Sequence, residues 1–248
     1  MAELPAYLRI ANGLRARIVS GELAPGDKLP TESQLMREHG VSRTVAKWAV
    51  AVLKSEGLVE GRRGSGVYVR NVGRLVREAH GRNMRGPGPT SPFARDAQRA
   101  GHRAHWEHHS ERTTADATIA ARLAVEPGTP VMQTRYRYLA DDEPIQLAMS
   151  WEPLAIAADT PVEWPEDGAA VGVVARLDTI GVHIDEFVER VTARTASADE
   201  IEALRLPMRG AYVLVIARTY YTAGTPVETA DIVIPGDRYE LVYRVPVE

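Results

Sequence analysis

One stretch constrains the chain more than any other: Pro25 to Val69, PGDKLPTESQLMREHGVSRTVAKWAVAVLKSEGLVEGRRGSGVYV. Thr31 stands three residues before Gln34, the spacing at which a hydroxyl caps a helix while the glutamine side chain reaches back. Gly40 supplies the C-terminal stop, Val41 fills the turn, and Ser42 caps the next helix, which runs to about Glu56 and stops at Gly57. Two short helices joined by so tight a turn read as a helix-turn-helix, whose second helix enters the DNA major groove.

In that second helix Val45, Ala49, Val52 and Leu53 recur at helical spacing and predict the buried stripe. Arg43, Thr44 and Lys47 fall on the other side, near the helix N-terminus, where side chains reach base edges. Two β-prone runs, Leu58–Glu60 and Val67–Val69, then flank Gly61-Arg62-Arg63-Gly64-Ser65-Gly66, and predict a hairpin. Its glycines allow close backbone approach, while Arg62 and Arg63 offer phosphate affinity or a minor-groove reach. The Gly-Ser-Gly lacks the strand-then-helix context and the lysine of a phosphate-binding loop.

Residues 7 to 69 resemble the winged helix-turn-helix of the GntR family of bacterial transcription regulators. The resemblance rests on Ile10-Ala11, Leu14, Gly21 to Gly26, Leu29-Pro30-Thr31-Glu32, Val41-Ser42-Arg43, Glu56-Gly57-Leu58-Val59 and the Gly64-Ser65-Gly66 tip. It implies that Thr31, Glu32, Ser42, Arg43, Thr44, Lys47, Arg62, Arg63, Gly64, Ser65 and Gly66 form the DNA-facing set. Ser33, the Val45-Ala46 pair and Lys47 depart from the usual pattern. Lysine is a point charge where arginine would grip guanine with two hydrogen bonds, which bears on the operator read.

The 248 residues suit two domains better than one. Cysteine is absent, excluding disulfides and thiolate chemistry and suiting a reducing compartment. The first residues show no apolar leader core, and no run of about 18 apolar residues occurs, so a soluble cytoplasmic protein is expected. The net charge of −3 hides an asymmetry: residues 1–85 carry 15 Lys and Arg against 8 Asp and Glu, residues 86–248 carry 15 against 25. A basic head on an acidic body is the footprint of a DNA-binding module joined to a part that avoids DNA.

Expected boundaries are a winged head at 1–70, a Gly-, Pro- and Arg-rich linker at 71–90, and a body at 91–248. Arg74, Arg77, Arg82 and Arg85 of the linker read as solvated or as tracking the DNA backbone. The body reads as mixed α and β. Strands at Val131–Leu139 and Ile145–Trp151, and again at Val213–Tyr221 and Val227–Ile234, form two hairpins that echo each other, each preceded by a small helix and each with a turn ending in proline.

The body resembles the UTRA effector-binding domain of the HutC branch of the GntR family, through Thr129-Pro130-Val131, Arg135-Tyr136-Arg137, Glu143-Pro144-Ile145, Arg218, Pro226-Val227-Glu228 and Gly236 to Tyr239. The implied fold class is α+β: a winged head plus a chorismate-lyase-like body with an antiparallel sheet. Arg135 and Arg137 match a family pair that lines the ligand cavity and binds an anion. Two apart on a strand, they share a face and need an anion or protein carboxylates between them. Glu228 and Arg218 complete the implied effector site, with a salt bridge as the alternative role for Glu228. Pro92, Gly172 and Ile234 stand where sugar-phosphate-binding members carry hydroxyls, which points to a larger or more apolar anion.

His102, His105, His108 and His109 put His105, Glu107 and His109 on one strand face, a set that reads as a polar surface rather than a metal site. No lysine lies beyond Lys54 for a Schiff base, and no Ser/His/Asp order converges, so no catalytic residue, metal or cofactor is expected. The expected function is a ligand-responsive repressor that binds double-stranded operator DNA as a homodimer and is released by a small-molecule effector. The alternatives are an effector-independent DNA-binding or plasmid-maintenance regulator, and an enzyme fused to a DNA-binding head.

Overall fold

The computed structural model describes residues 4–62, 64–70, 74–79, 91–167, 172–208 and 210–245. The chain divides into two compact units: Met1–Gly73 with Leu206–Ala211, and Arg74–Arg205 with Tyr212–Glu248.

In the first unit α1 (Ala6–Val19), α2 (Glu32–His39) and α3 (Arg43–Ser55) precede a hairpin of β1 (Val59–Arg62) and β2 (Gly66–Val69). The capping box forms: Gln34 N–H donates to Thr31 Oγ1 at 3.3 Å, and Thr31 N–H donates to Gln34 Oε1 at 2.8 Å. Gly40 ends α2 in the left-handed region at φ 63°, and Ser42 caps α3. Ile10, Ala11 and Leu14 pack with Leu35, Ala46, Ala49, Val50 and Leu53. The buried stripe of α3 is thus Ala46, Ala49, Val50 and Leu53, whereas Val45 and Val52, expected in it, are only partly buried. The face is rotated because α1 and α2 close on the Ala46–Val50 side.

In the second unit a six-stranded antiparallel sheet runs β4-β5-β6-β9-β8-β7: β4 Ala104–Thr114, β5 Pro130–Ala140, β6 Glu143–Pro153, β7 Glu186–Thr195, β8 Tyr212–Thr222 and β9 Thr225–Pro235. Helix α4 (Pro92–Arg99) precedes β4, α5 (Ala117–Leu123) precedes β5, α6 (Leu154–Ala157) and α7 (Val173–Asp178) follow β6, and α8 (Ala198–Ala203) precedes β8.

The echo between the hairpins is structural. The sheet is two halves, β4-β5-β6 and β7-β8-β9, that meet at the β6–β9 pair. Each half repeats strand, helix and hairpin, and each hairpin slips register at one place, after Tyr138 in β5 and after Tyr220 in β8. Matching those bulges pairs Tyr138 with Tyr220 and Pro144 with Pro226. At the same offset the positive-φ residues Asp141 and Asp142 match Ala223 and Gly224. Tyr136 is then the counterpart of Arg218, and Gln146 of Glu228.

One segment differs from expectation. Leu75–Glu78, placed in the linker, is a strand, β3, that pairs in parallel with β10 (Tyr239–Val242). Arg77, read as solvated or DNA-tracking, is 1% exposed and donates to Glu189 of β7 at 3.0 Å. Its charge is paired inside the body, while Leu75 and Tyr239 join the core beside Phe93, Ile216 and Ile234. Arg82 and Arg85 lie outside the described residues.

Candidate functional site

The side chains of α3 and the hairpin tip that the resemblance assigns to DNA are held from within. Arg43, 80% exposed at the start of α3, donates its Nε–H to Glu32 Oε2 of α2 at 2.9 Å. An exposed pair of this kind is worth little by itself, so Glu32 can aim Arg43 and surrender it to a stronger partner. Thr31 and Ser42 spend their hydroxyls as caps. Thr44 and Lys47 are exposed on α3. In the wing, the Arg62 guanidinium lies over the Tyr68 ring at 4.5 Å and its Nε–H donates to Glu60 at 3.1 Å. Ser65 hydrogen-bonds Tyr68 Oη at 2.5 Å. Gly66 sits at φ 126°, a backbone conformation that favours glycine; the nearest side chain a Cβ would meet is the flexible end of Lys28. Arg63 lies outside the described residues.

In the second unit the sheet face beneath α4 and α7 encloses a cavity of ≈ 90 Å³. One half-sheet contributes Trp106, Tyr136 and Tyr138, the other Arg218, Tyr220 and Glu228. Pro92, Gly172 and Arg176 close it from the helices. Arg218 Nη2 donates to Glu228 Oε1 at 3.2 Å, and its guanidinium lies over Tyr220 at 4.2 Å. Behind this pair Arg176 donates to Glu152 and to the Val162 carbonyl. Among the described residues, Arg218 Nε, Glu228 Oε2 and Glu152 Oε2 are buried without a hydrogen-bond partner. Such orphans are rare in a folded interior and call for a reason.

Burial pushes the Glu228 carboxyl up to about 7, against the pull of Arg218, with the Glu152 charge adding to the rise. A carboxyl whose native pKa is raised binds its proton more tightly in the folded state. Its stabilising contribution is therefore full below the unfolded value near 4.5 and is lost as pH climbs to about 7. Glu228→Gln, which cannot ionise, should flatten the fall in melting temperature across that window; parallel wild-type and variant curves between pH 5 and pH 8 would contradict the assignment.

The profile of the gntR family of bacterial regulatory proteins matches residues 6–69, and that of the UTRA domain matches residues 99–240. The chain belongs to the GntR family. A crystal structure described as a GntR-family transcriptional regulator is 45% identical, with 98% of each chain covered and a TM-score of 0.66. The mannosyl-D-glycerate transport/metabolism system repressor MngR of Escherichia coli is 31% identical over 166 residues, 64% of this chain and 63% of that repressor. The histidine utilization repressor of Klebsiella aerogenes is 27% identical over 257 residues, 98% of this chain and 95% of the relative. These relatives are DNA-binding regulators, and the GntR-family head and UTRA body give this chain the same class of function rather than that of an enzyme.

The structure places the arginine pair of β5 away from the cavity in which the resemblance puts it. Arg135 and Arg137 do not line the cavity. Arg135 pairs with Glu111 at 3.4 Å, and Arg137 with Glu107 at 3.3 Å while donating to the Ala203 carbonyl at 2.9 Å. Alternation along the strand decides this: a step of one residue reverses the face, and Tyr136 and Tyr138 take the cavity side. Protein carboxylates from β4 satisfy the two guanidiniums. Arg218 and Glu228 do lie in the cavity, whereas Arg176, Tyr136, Tyr138 and Trp106 were not anticipated. The repeat itself carried the missing signal, because aligning the two hairpins on their prolines sets Tyr136 opposite Arg218. Of the three departures from hydroxyl-bearing positions, Pro92 and Gly172 line the cavity, but Ile234 is buried in the core.

The histidines lie along the edge strand β4 and before it. His105, His108 and His109 are exposed, and His102 bonds Asp141 at 2.7 Å. Among the described residues no group of three or more His, Cys, Asp or Glu is placed to hold a metal. No described helix is long and apolar enough to cross a membrane.

Proposed function

We propose that the chain is a cytoplasmic repressor that binds a palindromic operator as a homodimer and is released when a small molecule bearing an anionic group enters the UTRA cavity. The observation that carries this reading is the buried Arg218–Glu228 pair with one orphaned polar atom on each side chain. A ligand acceptor opposite Arg218 Nε would satisfy a donor that the protein leaves idle. A cavity of ≈ 90 Å³ has room for several waters, and so for a small metabolite. Release requires only that the ligand bind one conformation more tightly than the other. Dimerisation follows from readout, since one winged head reads too few base pairs for specificity above genomic background.

The DNA half of the proposal is tested on α3. Arg43→Ala should cost roughly 1–3 kcal/mol of operator affinity and relax discrimination at one base position. Lys47→Ala should weaken all sequences alike and flatten the dependence on salt. Fluorescence anisotropy with operator and single-base variants at several salt concentrations separates the two. A double variant that binds operator as wild type does would refute the assignment of α3.

A further inference from the structure

The cavity is not lined for an anion alone. Five aromatic side chains, Phe93, Trp106, Tyr136, Tyr138 and Tyr220, reach it in a chain only 6% aromatic. Tyr136 and Tyr138 are stacked, with centroids 5.5 Å apart and planes 17° from parallel. Trp106 leans on Tyr138 at 6.3 Å, and Phe93 backs it at 4.9 Å. This wall belongs to the β4-β5 half of the sheet, and Tyr136 occupies the position that Arg218 fills in the other half. The two halves of one repeat thus bring different chemistries to one space: Arg218 over Tyr220 with Glu228 on one side, Trp106, Tyr136 and Tyr138 on the other.

A carboxylate completes the aromatic side. Glu166 lines the cavity and accepts the Trp106 indole N–H at 2.9 Å. Among the described residues it is paired with no cation, unlike Glu152 and Glu228, which face Arg176 and Arg218. Glu166 also adopts φ 75°, a left-handed conformation that a residue with a Cβ takes only when its surroundings hold it there. Strain of this kind gathers at ligand-holding positions. Aromatic rings and a carboxylate with no cation partner among the described residues, lining one cavity, form an environment that attracts an ammonium group through the ring quadrupole and the full charge together.

We propose that the cavity takes a zwitterion, an amino-acid-like or betaine-like molecule, whose ammonium group is held by Trp106, Tyr136, Tyr138 and Glu166 while its acid group meets Arg218. This rests on the cavity being the effector site and adds the class of effector. It also accounts for the tyrosines: arginines at positions 136 and 138 would repel the cation that Glu166 and the rings attract.

The probes are glycine betaine and 3,3-dimethylbutanoate, which share shape and carboxylate and differ only in that one carries a quaternary nitrogen where the other has carbon. Titration calorimetry on the full chain should show betaine binding about tenfold tighter or more, the scale of a desolvated cation–π contact. Glu166→Gln, which keeps an acceptor for Trp106, should bring the two affinities close together, and Trp106→Leu should do the same. Equal affinities in the wild type would overturn the cation site while leaving an anion-binding effector cavity standing. Binding of neither compound would overturn it too, and the cavity's role is then judged on Arg218 and Glu228 alone. A betaine preference that survives Glu166→Gln and Trp106→Leu would place the cation elsewhere and contradict the assignment.

Discussion

Arg77→Met should destabilise the C-terminal unit by about 3–5 kcal/mol, because it removes one member of a buried ion pair. Arg77 and Glu189 are 1% and 4% exposed, and the guanidinium meets both carboxylate oxygens. The Tyr243 hydroxyl, donating at 3.4 Å to one of those oxygens, is too distant to replace an ion. Replacing both partners, Arg77→Met with Glu189→Met, should recover most of the loss, since a hydrophobic pair carries no desolvation penalty. Urea denaturation of the four proteins in the cycle measures this, with the midpoint and slope read separately. A single variant as stable as the wild type would show that Arg77 is solvated after all. The residue would then belong to the linker that its glycine- and arginine-rich surroundings suggest.

The second large effect is on ligand affinity. Replacing Arg218 and Glu228 together, by Met and Gln, removes the charged pair symmetrically and leaves no uncompensated ion, so the unit should remain folded. The acid group of an effector would then lose a charged donor in a buried site, a loss on the order of 2–5 kcal/mol. Affinity for any effector found should fall by the corresponding one and a half to nearly four decades. Operator affinity should be unchanged, because Arg43, Lys47 and Arg62, the residues proposed to meet DNA, belong to a separate unit. A variant that retains effector affinity would remove Arg218 from the site. The outcome for Arg135→Ala is the reverse: its Glu111 partner is exposed, so loss of that pair should leave effector affinity unaltered.

The head was legible in sequence because its chemistry is local. Thr31, Gln34, Gly40 and Ser42 act within a few residues of themselves, so the caps and turn could be read without the fold. The two β hairpins were legible for the same reason. What could not be read was which strand face meets the cavity. Arg135 to Tyr138 alternate Arg-Tyr-Arg-Tyr, and either face is plausible until the partners on β4, Glu107 and Glu111, are known. The family resemblance pointed to the arginines, and the pairing register gave the cavity to the tyrosines. Strand β3 was hidden by its neighbours: four residues between glycine-bearing stretches carry little periodicity, and only the distant Tyr239–Val242 makes them a strand. Glu166 was invisible for a related reason, since its role depends on Trp106, far away in the chain.

If occupancy of the UTRA cavity controls DNA binding, a small molecule that fills it should release the operator. Fluorescein-labelled operator, saturated with the wild-type chain or the Arg218→Met/Glu228→Gln variant, is titrated with a small-molecule extract of the source cells, and anisotropy is followed. The wild-type complex should dissociate while the variant, with equal starting affinity, stays bound. Release of both proteins at the same extract concentration would contradict it.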